Sequence, residues 1–534
     1  MSCQVSARSV SWCLIALALD TIESSATALP RSADPASLSK SRRWGPALGL
    51  ALLSLLYFVP TCVRAAREKL WYDEILTFDA ATLAPHFGAL WTFLKNAEAS
   101  PPLGFLLAAG SESVFGRNEF ALRLPSVVAF WIMALCLYLY LSRRIPRSYA
   151  IAAALLAVLT AAGRYSYEAR AYALVLALAG IALVAWQAAA EGRRRRTALV
   201  VLGVALASAL FSHPLAVTLA LPFLAGELTR TVQRKRVDWP VWCAFACATP
   251  MLLVIWKMQT TGKSTAYLRF VGGRSWHIGI TYMEMLGPAI VPLVLAFLLL
   301  LVLRTQGANS PKSAPGMRAY ELAALVGFAL IPFAAVLLLY TVDGWYFLRY
   351  SLNCTIGLAG LVAILLFRIG GGNRLSQVTV LLVFGAAFTF VQLCPEEKRP
   401  DFGLKVVNTS DKIQQFLERM PSDAPIAISE PKMFLELEHY SSPGLAARLY
   451  YLTDPAAAAA IDGNVLFDVK TPQIARYFPF RAHYEDYHSF IAAHKRFYVV
   501  QPVRNIARAH SLGRLSLQPR ETADSFQYYE ASLR

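Results

Sequence analysis

The chain has 534 residues, 56% of them hydrophobic and only 16% charged, where soluble proteins carry about 25% charged residues. With a mean hydropathy of +0.45 and recurrent apolar stretches through its first three quarters, it is excluded from the soluble globular class. Its formal net charge of +17 is not a polyanion footprint, and nucleic acid is excluded as a partner. The basic clusters at Lys40/Arg42/Arg43, Arg143/Arg144/Arg147, Arg193–Arg196, Arg230/Arg234/Lys235/Arg236, Arg304/Lys312/Arg318 and Arg368/Arg374 fall at span ends, two spans apart, which is the positive-inside pattern of a polytopic membrane protein.

Residues 1–43 read as a disordered cytoplasmic leader or an over-extended start, because the apolar run Ser11–Leu19 is too short to span and poorly flanked for a signal peptide. The expected transmembrane domain occupies residues 44–394. Its first span, Pro46–Val63, leads outward into a long external loop, 64–122, with an amphipathic stretch Ile75–Leu94 and the run Gly104–Phe115 behind Pro101-Pro102-Leu103. Ser111 and Glu112 interrupt that second run, and if it crossed, every later basic cluster would land outside; it is expected to lie on the outer leaflet. Ten more spans follow: Leu124–Leu141, Ala150–Ala162, Ala173–Ala190, Thr197–Phe211, Leu215–Leu228, Val241–Trp256, Leu286–Leu303, Leu322–Tyr340, Tyr350–Phe367 and Val378–Leu393. Spanning takes about 20 apolar residues, and these give about eleven crossings, amino end cytoplasmic and carboxyl end outside. Cys243 and Cys247 have a helical spacing with no His or acid nearby, which favours small buried residues over a metal site.

From residue 395 to 534 the composition becomes that of a soluble domain. A helix is expected at Asp411–Arg419, strands at Ala424–Ser429 and Phe497–Gln501, and ordinary helix at Ala456–Ala460. No cysteine follows Cys394, so this domain has no disulfide framework. The expected fold is an α-helical polytopic membrane protein with a small C-terminal extracytoplasmic α/β domain, in the plasma (inner) membrane.

The span interiors are almost free of ionisable residues, which argues against an ion or proton pathway. Polar groups gather instead in external loops: Asp73/Glu74, Arg164–Arg170, His213, Lys257–Glu284 and Asp343–Arg349. Together they read as one composite site. Adjacent carboxylates repel, which tends to raise one pKa and leave the other ionised; an ionised acid in reach of an acceptor hydroxyl or amine can act as general base. The rival reading pairs the acids with Arg64 or Arg67. In Tyr167-Glu168-Ala169-Arg170-Ala171-Tyr172, Glu168 either orients the acceptor or holds a divalent cation, and Arg170 either contacts a phosphate with its planar fork or pairs with Glu168. His213 is either a helix-end hydrogen bonder or a metal partner of Glu168 or Asp73. Arg349-Tyr350 suits a lipid phosphate at headgroup depth, or a snorkelling anchor. Lys257, Lys263, Arg269 and Arg274, around Gly272-Gly273, are further phosphate candidates.

These motifs resemble the membrane glycosyltransferases of the C superfamily, in the branch of protein O-mannosyltransferases and bacterial lipid A aminoarabinose transferases. The resemblance rests on Trp71-Tyr72-Asp73-Glu74, Ser100-Pro101-Pro102-Leu103 with Phe115-Gly116, Glu119–Ser126, Tyr167–Tyr172 and Arg349-Tyr350, in that order. It implies inverting transfer of a sugar from a polyprenyl-phosphate donor to an extracytoplasmic glycan, lipid or protein acceptor. It makes Asp73 the base with Glu74 beside it, the two catalytic acids, and Glu168 a second-loop acid near acceptor or metal. Tyr72, Arg123, Tyr167, Glu168, Arg170, Tyr172, His213, Arg349 and Tyr350 are the expected substrate-binding set. Many relatives carry His before the Pro-Pro pair; Ser100 stands there in this chain, which weakens the case for a metal. A transporter or lipid flippase is the rival class, but it would show broken midplane helices and internal repeats. An oligosaccharide ligase or polymerase would use similar donors.

Overall fold

The computed structural model describes residues 45–261, 278–305, 316–341, 346–394, 411–420, 424–428, 430–462, 465–500, 515–523 and 526–533. The expected leader, the Gly272-Gly273 loop with Lys263, Arg269 and Arg274, and Lys312, Asp343, Ser429 and Gln501 lie outside the described residues. The chain divides into two units, Met1–Leu55 and Leu56–Arg534. Of the first, only the opening of helix Gly45–Arg67 is described; the contacts that follow belong to the second.

Every expected span has its helix. Seven helices are long and apolar enough to cross a membrane, or nine when each of two bent pairs counts as one span. The other two expected spans fall on Arg195–Leu210, of 16 residues, and Cys354–Gly370, of 17 residues. Close packing of the bundle depends on small residues: a Cβ added at Gly327 would meet Pro222 Cα at 2.5 Å, and one at Gly226 would meet the Trp186 ring at 2.7 Å. Without a hydrophobic drive between helices in lipid, such contacts and interhelical hydrogen bonds carry association. Cys243 and Cys247 correct the expectation of burial: both are exposed on the protein surface.

Ionisable groups at the ends of the helices away from the external loops are buried in closed clusters. Arg144 grips Glu321 through Nε–Oε2 and Nη2–Oε1, each at 2.8 Å, while Gln187 Nε2 and the Arg318 amide also donate to Glu321. A second cluster joins Arg230 to Glu227 at 2.6 Å and to Asp238, with Trp186 Nε1 donating to Glu227 at 2.9 Å. Buried charges are tolerated on these terms, paired and hydrogen-bonded.

In the loop between the first two spans the expected amphipathic stretch forms two helices, Tyr72–Ala81 and Phe87–Phe93, and the Pro-Pro pair opens a third, Leu103–Phe115. Thirteen residues rise about 20 Å, short of the roughly 30 Å hydrocarbon core. The bend between Arg147–Leu159 and Ala161–Tyr167, 72°, has a local cause. Thr160 is extended (φ −72°, ψ 170°) and ends the helix, so the chain turns sideways and presents Tyr167–Arg170 to the external loop.

The C-terminal part is a six-stranded mixed sheet in the order β3-β2-β1-β4-β6-β5, with β1 Ile426–Ile428, β2 Leu449–Thr453, β3 His483–Asp486, β4 Arg496–Val500, β5 Leu515–Ala523 and β6 Phe526–Leu533. The first four strands are parallel and β6 runs antiparallel to β4 and β5. Ile426-Ala427-Ile428 is buried throughout, the apolar run typical of a parallel strand covered on both faces. Helix Asp411–Glu418 and strands β1 and β4 fall where the sequence places them. The alanine run departs from ordinary helix: it is α over Pro455–Ala457 and π over Ala458–Asp462. Leu435 and Ile474 from this part share a buried cluster with Leu70, Ile75, Phe93 and Phe105 of the loop between the first two spans, so the sheet domain is seated on the helices of that loop.

Candidate active site

Asp73 and Glu74 stand in the first turn of helix Tyr72–Ala81, about 100° apart around its axis, and that angle separates their surroundings. Glu74 points into the core. Its Oε1 accepts from Arg123 Nε and from the Ala169 amide, each at 2.7 Å, and its Oε2 accepts from Arg123 Nη2 at 2.5 Å. Arg123 spends its remaining donors on the carbonyls of Ala65, Glu68 and Lys69 at 2.9, 2.7 and 3.1 Å. Both side chains are 2% exposed. This pair pins the loop between the first two spans to the Glu168 loop, and each partner is fully occupied by it.

Asp73 points the other way, toward cations. Its Oδ2 lies 3.7 Å from Arg349 Nη1 and 4.0 Å from Arg170 Nη2. Those separations are ion pairs too long for hydrogen bonds. Burial acts to raise its pKa, but Arg170, Arg349, Lys470 and Lys432 outweigh it and hold the carboxylate below its usual range. Neither acid pairs with Arg64, which donates instead to the Val391 carbonyl at 2.9 Å.

Arg170 is the hub. Its Nη1 donates to Glu98 Oε1 at 3.1 Å, and Lys470 Nζ donates to the other Glu98 oxygen at 2.9 Å. Arg349 is wrapped by Phe347, Tyr350 and Trp71, whose ring centres lie 4.6, 5.8 and 5.9 Å from its guanidinium carbon. Its Nε has no hydrogen-bond partner among the described residues. Glu168 is 7% exposed, and its Oε1 also lacks a partner among the described residues. Burial first, then the charges of Glu74 and Asp73, push its pKa up to about 8 against the pull of Arg170 and Arg349. At neutral pH it is therefore a neutral acid.

His213 caps the short helix Pro214–Leu219, its Nδ1 accepting from the Leu215 amide at 3.2 Å. That bond leaves the ring proton on Nε2. Burial, followed by Arg170 and Arg349, lowers its pKa to about 3. The ring is flanked by Tyr172 at 5.2 Å and Tyr350 at 6.2 Å. Tyr72 lies edge-on to Phe467 at 5.7 Å, and Tyr167 is buried.

A cleft of about 550 Å³, counting space open to solvent, begins at this cluster. Arg170, His213, Ser100, Ser126 and Ser212 line it with polar groups, and Phe105, Leu107, Leu122 and Leu174 with apolar ones. Thr77, one turn beyond Asp73, lines it too. The lining is therefore amphiphilic, one cation and several hydroxyls among hydrocarbon. Among the described residues no three His, Cys, Asp or Glu side chains are grouped to hold an ion, and His213 turns Nδ1 to the backbone.

The fold thus gathers Asp73, Tyr72, Tyr167, Glu168, Arg170, Tyr172, His213, Arg349 and Tyr350 at one place and sets Glu74–Arg123 directly behind. Sequence reasoning missed Glu98, Lys432 and Lys470. Glu98 stands two residues before Ser100-Pro101-Pro102 and was within reach of that motif; Lys470 has no local signal at all.

A family model described as dolichyl-phosphate-mannose-protein mannosyltransferase matches residues 99–256, a segment holding Arg123, Glu168, Arg170 and His213. ArnT from Cupriavidus metallidurans in the apo state superposes with TM-score 0.56 at 12% identity, covering 92% of this chain and 98% of that one. The same protein bound to undecaprenyl phosphate gives TM-score 0.51 at 14% identity over 91% and 97%. No curated protein matches the chain. The chain has the fold of the C superfamily of membrane glycosyltransferases. Within it, ArnT is similar over nearly the whole length of both chains, membrane part and sheet domain together.

Proposed function

We propose that this protein is a membrane glycosyltransferase that moves a sugar, with inversion, from a polyprenyl-phosphate donor to a glycan, lipid or protein acceptor outside the cytoplasm. In this reading residues 44–394 form the transferase domain in the plasma (inner) membrane, the amino end is cytoplasmic, and 395–534 is an extracytoplasmic domain. The observation that carries it is Asp73, ionised between Arg170 and Arg349, with Arg170 also lining a largely apolar cleft. The undecaprenyl phosphate held by the ArnT structure is a ligand of this amphiphilic kind.

Asp73 is a weak base while both arginines neutralise it. A donor phosphate brings stronger charge to the same guanidinium groups, and the arginines turn from the carboxylate to the phosphate oxygens. Released from its cations, Asp73 recovers the basicity needed to take the acceptor's proton. The acceptor oxygen or nitrogen then attacks the anomeric carbon as the bond to the phosphate oxygen breaks. Arg349 and Arg170 stabilise the charge arriving on the leaving phosphate. His213 Nε2–H and the Glu168 carboxyl are neutral donors for the sugar or phosphate, adding no charge opposed to either. Glu74 and Arg123 position the Asp73 helix.

The test is transfer of radiolabelled sugar from polyprenyl phosphate by wild type and Asp73→Asn, with mass spectrometry of cell-envelope glycans from a deletion strain to name the product. Equal transfer by both proteins removes Asp73 from the chemistry.

A further inference from the structure

The sheet domain reaches into the site. Lys470, on helix Leu466–Ala475 of that domain, is only 8% exposed and places Nζ 2.9 Å from Glu98 Oε2. Glu98 is itself 7% exposed and gives its other oxygen to Arg170 at 3.1 Å. The Lys470 helix is held in place independently of that bond. Phe467 packs edge-on against Tyr72 at 5.7 Å, Ile474 joins the external-loop core, and Asp468 accepts from the Asp454 amide at 2.9 Å. Lys470 does not line the cleft; Arg170 does.

We infer that Lys470 is a positioning residue that acts through Glu98: by neutralising that carboxylate it leaves Arg170 with charge to offer a phosphate. The inference rests on the donor reading above and assigns the sheet domain a working part in it. Glu98, Arg170 and Lys470 together carry one net positive charge. Remove Lys470, and Glu98 cancels Arg170 outright. Remove both Lys470 and Glu98, and the positive charge returns. A residue needed only for folding would change stability and leave the affinity of the folded protein as it was.

The experiment measures binding of undecaprenyl phosphate to the full-length protein in lipid nanodiscs, so it needs neither sugar nor acceptor. Losing one nearby charge in a partly hydrated site weakens an anion by about tenfold, so Lys470→Met binds about tenfold more weakly, while Lys470→Arg stays within about threefold of wild type. The double variant Lys470→Met/Glu98→Gln recovers to within about threefold of wild type, and Glu98→Gln alone binds at least as tightly as wild type. A double variant as weak as Lys470→Met, or a weakened Glu98→Gln, overturns the inference even if Lys470→Met cannot be purified. Wild-type protein that captures no undecaprenyl phosphate overturns the donor reading itself, and this inference with it.

Discussion

The cluster around Glu321 and the cluster around Asp73 are made of the same residue types at opposite ends of the helices, yet their bookkeeping differs. Glu321 is fully buried and takes donors from Arg144, Gln187 and the Arg318 amide at 2.8–3.1 Å. Asp73 keeps its arginines at 3.7 and 4.0 Å, Arg349 retains a donor without a partner and Glu168 an acceptor without one, among the described residues. One cluster is closed and holds helices together. The other is left short of partners among the described residues, which suits the ligand site proposed for it. Glu74–Arg123 shows that both designs can occupy consecutive residues.

The largest effect should separate the two designs by activity. Asp73→Asn is expected to lower transfer by about 10³-fold, within the range general bases supply, with a thermal midpoint close to wild type; a large drop in the midpoint would place Asp73 with the closed clusters. Next, Glu74→Gln leaves the buried Arg123 short of its counter-charge, a loss of about 3–5 kcal/mol, and Glu321→Gln costs less because Arg144 keeps Glu191. Thermal unfolding in nanodiscs should show both, and a Glu321→Gln protein as stable as wild type would contradict its role as a staple. A smaller effect follows at Arg349, where lysine keeps the charge but not the fork: Arg349→Lys should weaken undecaprenyl phosphate about tenfold.

The smallest is a pH effect. Glu168 keeps its proton up to about pH 8; above that it becomes an anion beside Asp73 and repels phosphate. Binding of undecaprenyl phosphate should therefore fall as pH rises past 8, and Glu168→Gln, which cannot ionise, should abolish that fall. An unchanged alkaline limb in Glu168→Gln would assign it to another group.

Much of the architecture was legible because a membrane imposes it: apolar length marks the spans, and the spacing of Lys and Arg orders them. The loops that converge were legible for the same reason, since positive-inside counting puts Asp73, Glu168, His213 and Arg349 on one side. The division of labour between Asp73 and Glu74 was not. It depends on where the helix begins, and Trp71, an N-cap without a side-chain capping bond, carries no strong start signal. The depressed pKa of His213 was equally hidden, because it comes first from burial and then from Arg170 and Arg349, 43 and 136 residues away in sequence. Lys470 was invisible because its partner comes from the external loop and no periodicity links them.

The contact between Glu98 and Lys470 joins residues 372 positions apart. At 5–20 residues per second, synthesis of the intervening chain takes on the order of half a minute. Throughout that interval the nascent protein, already threaded into the bilayer, holds Glu98 without its lysine. The cluster therefore matures last, when the sheet domain has docked, and a protein stalled before residue 470 would have its spans in place yet lack the lysine of this cluster.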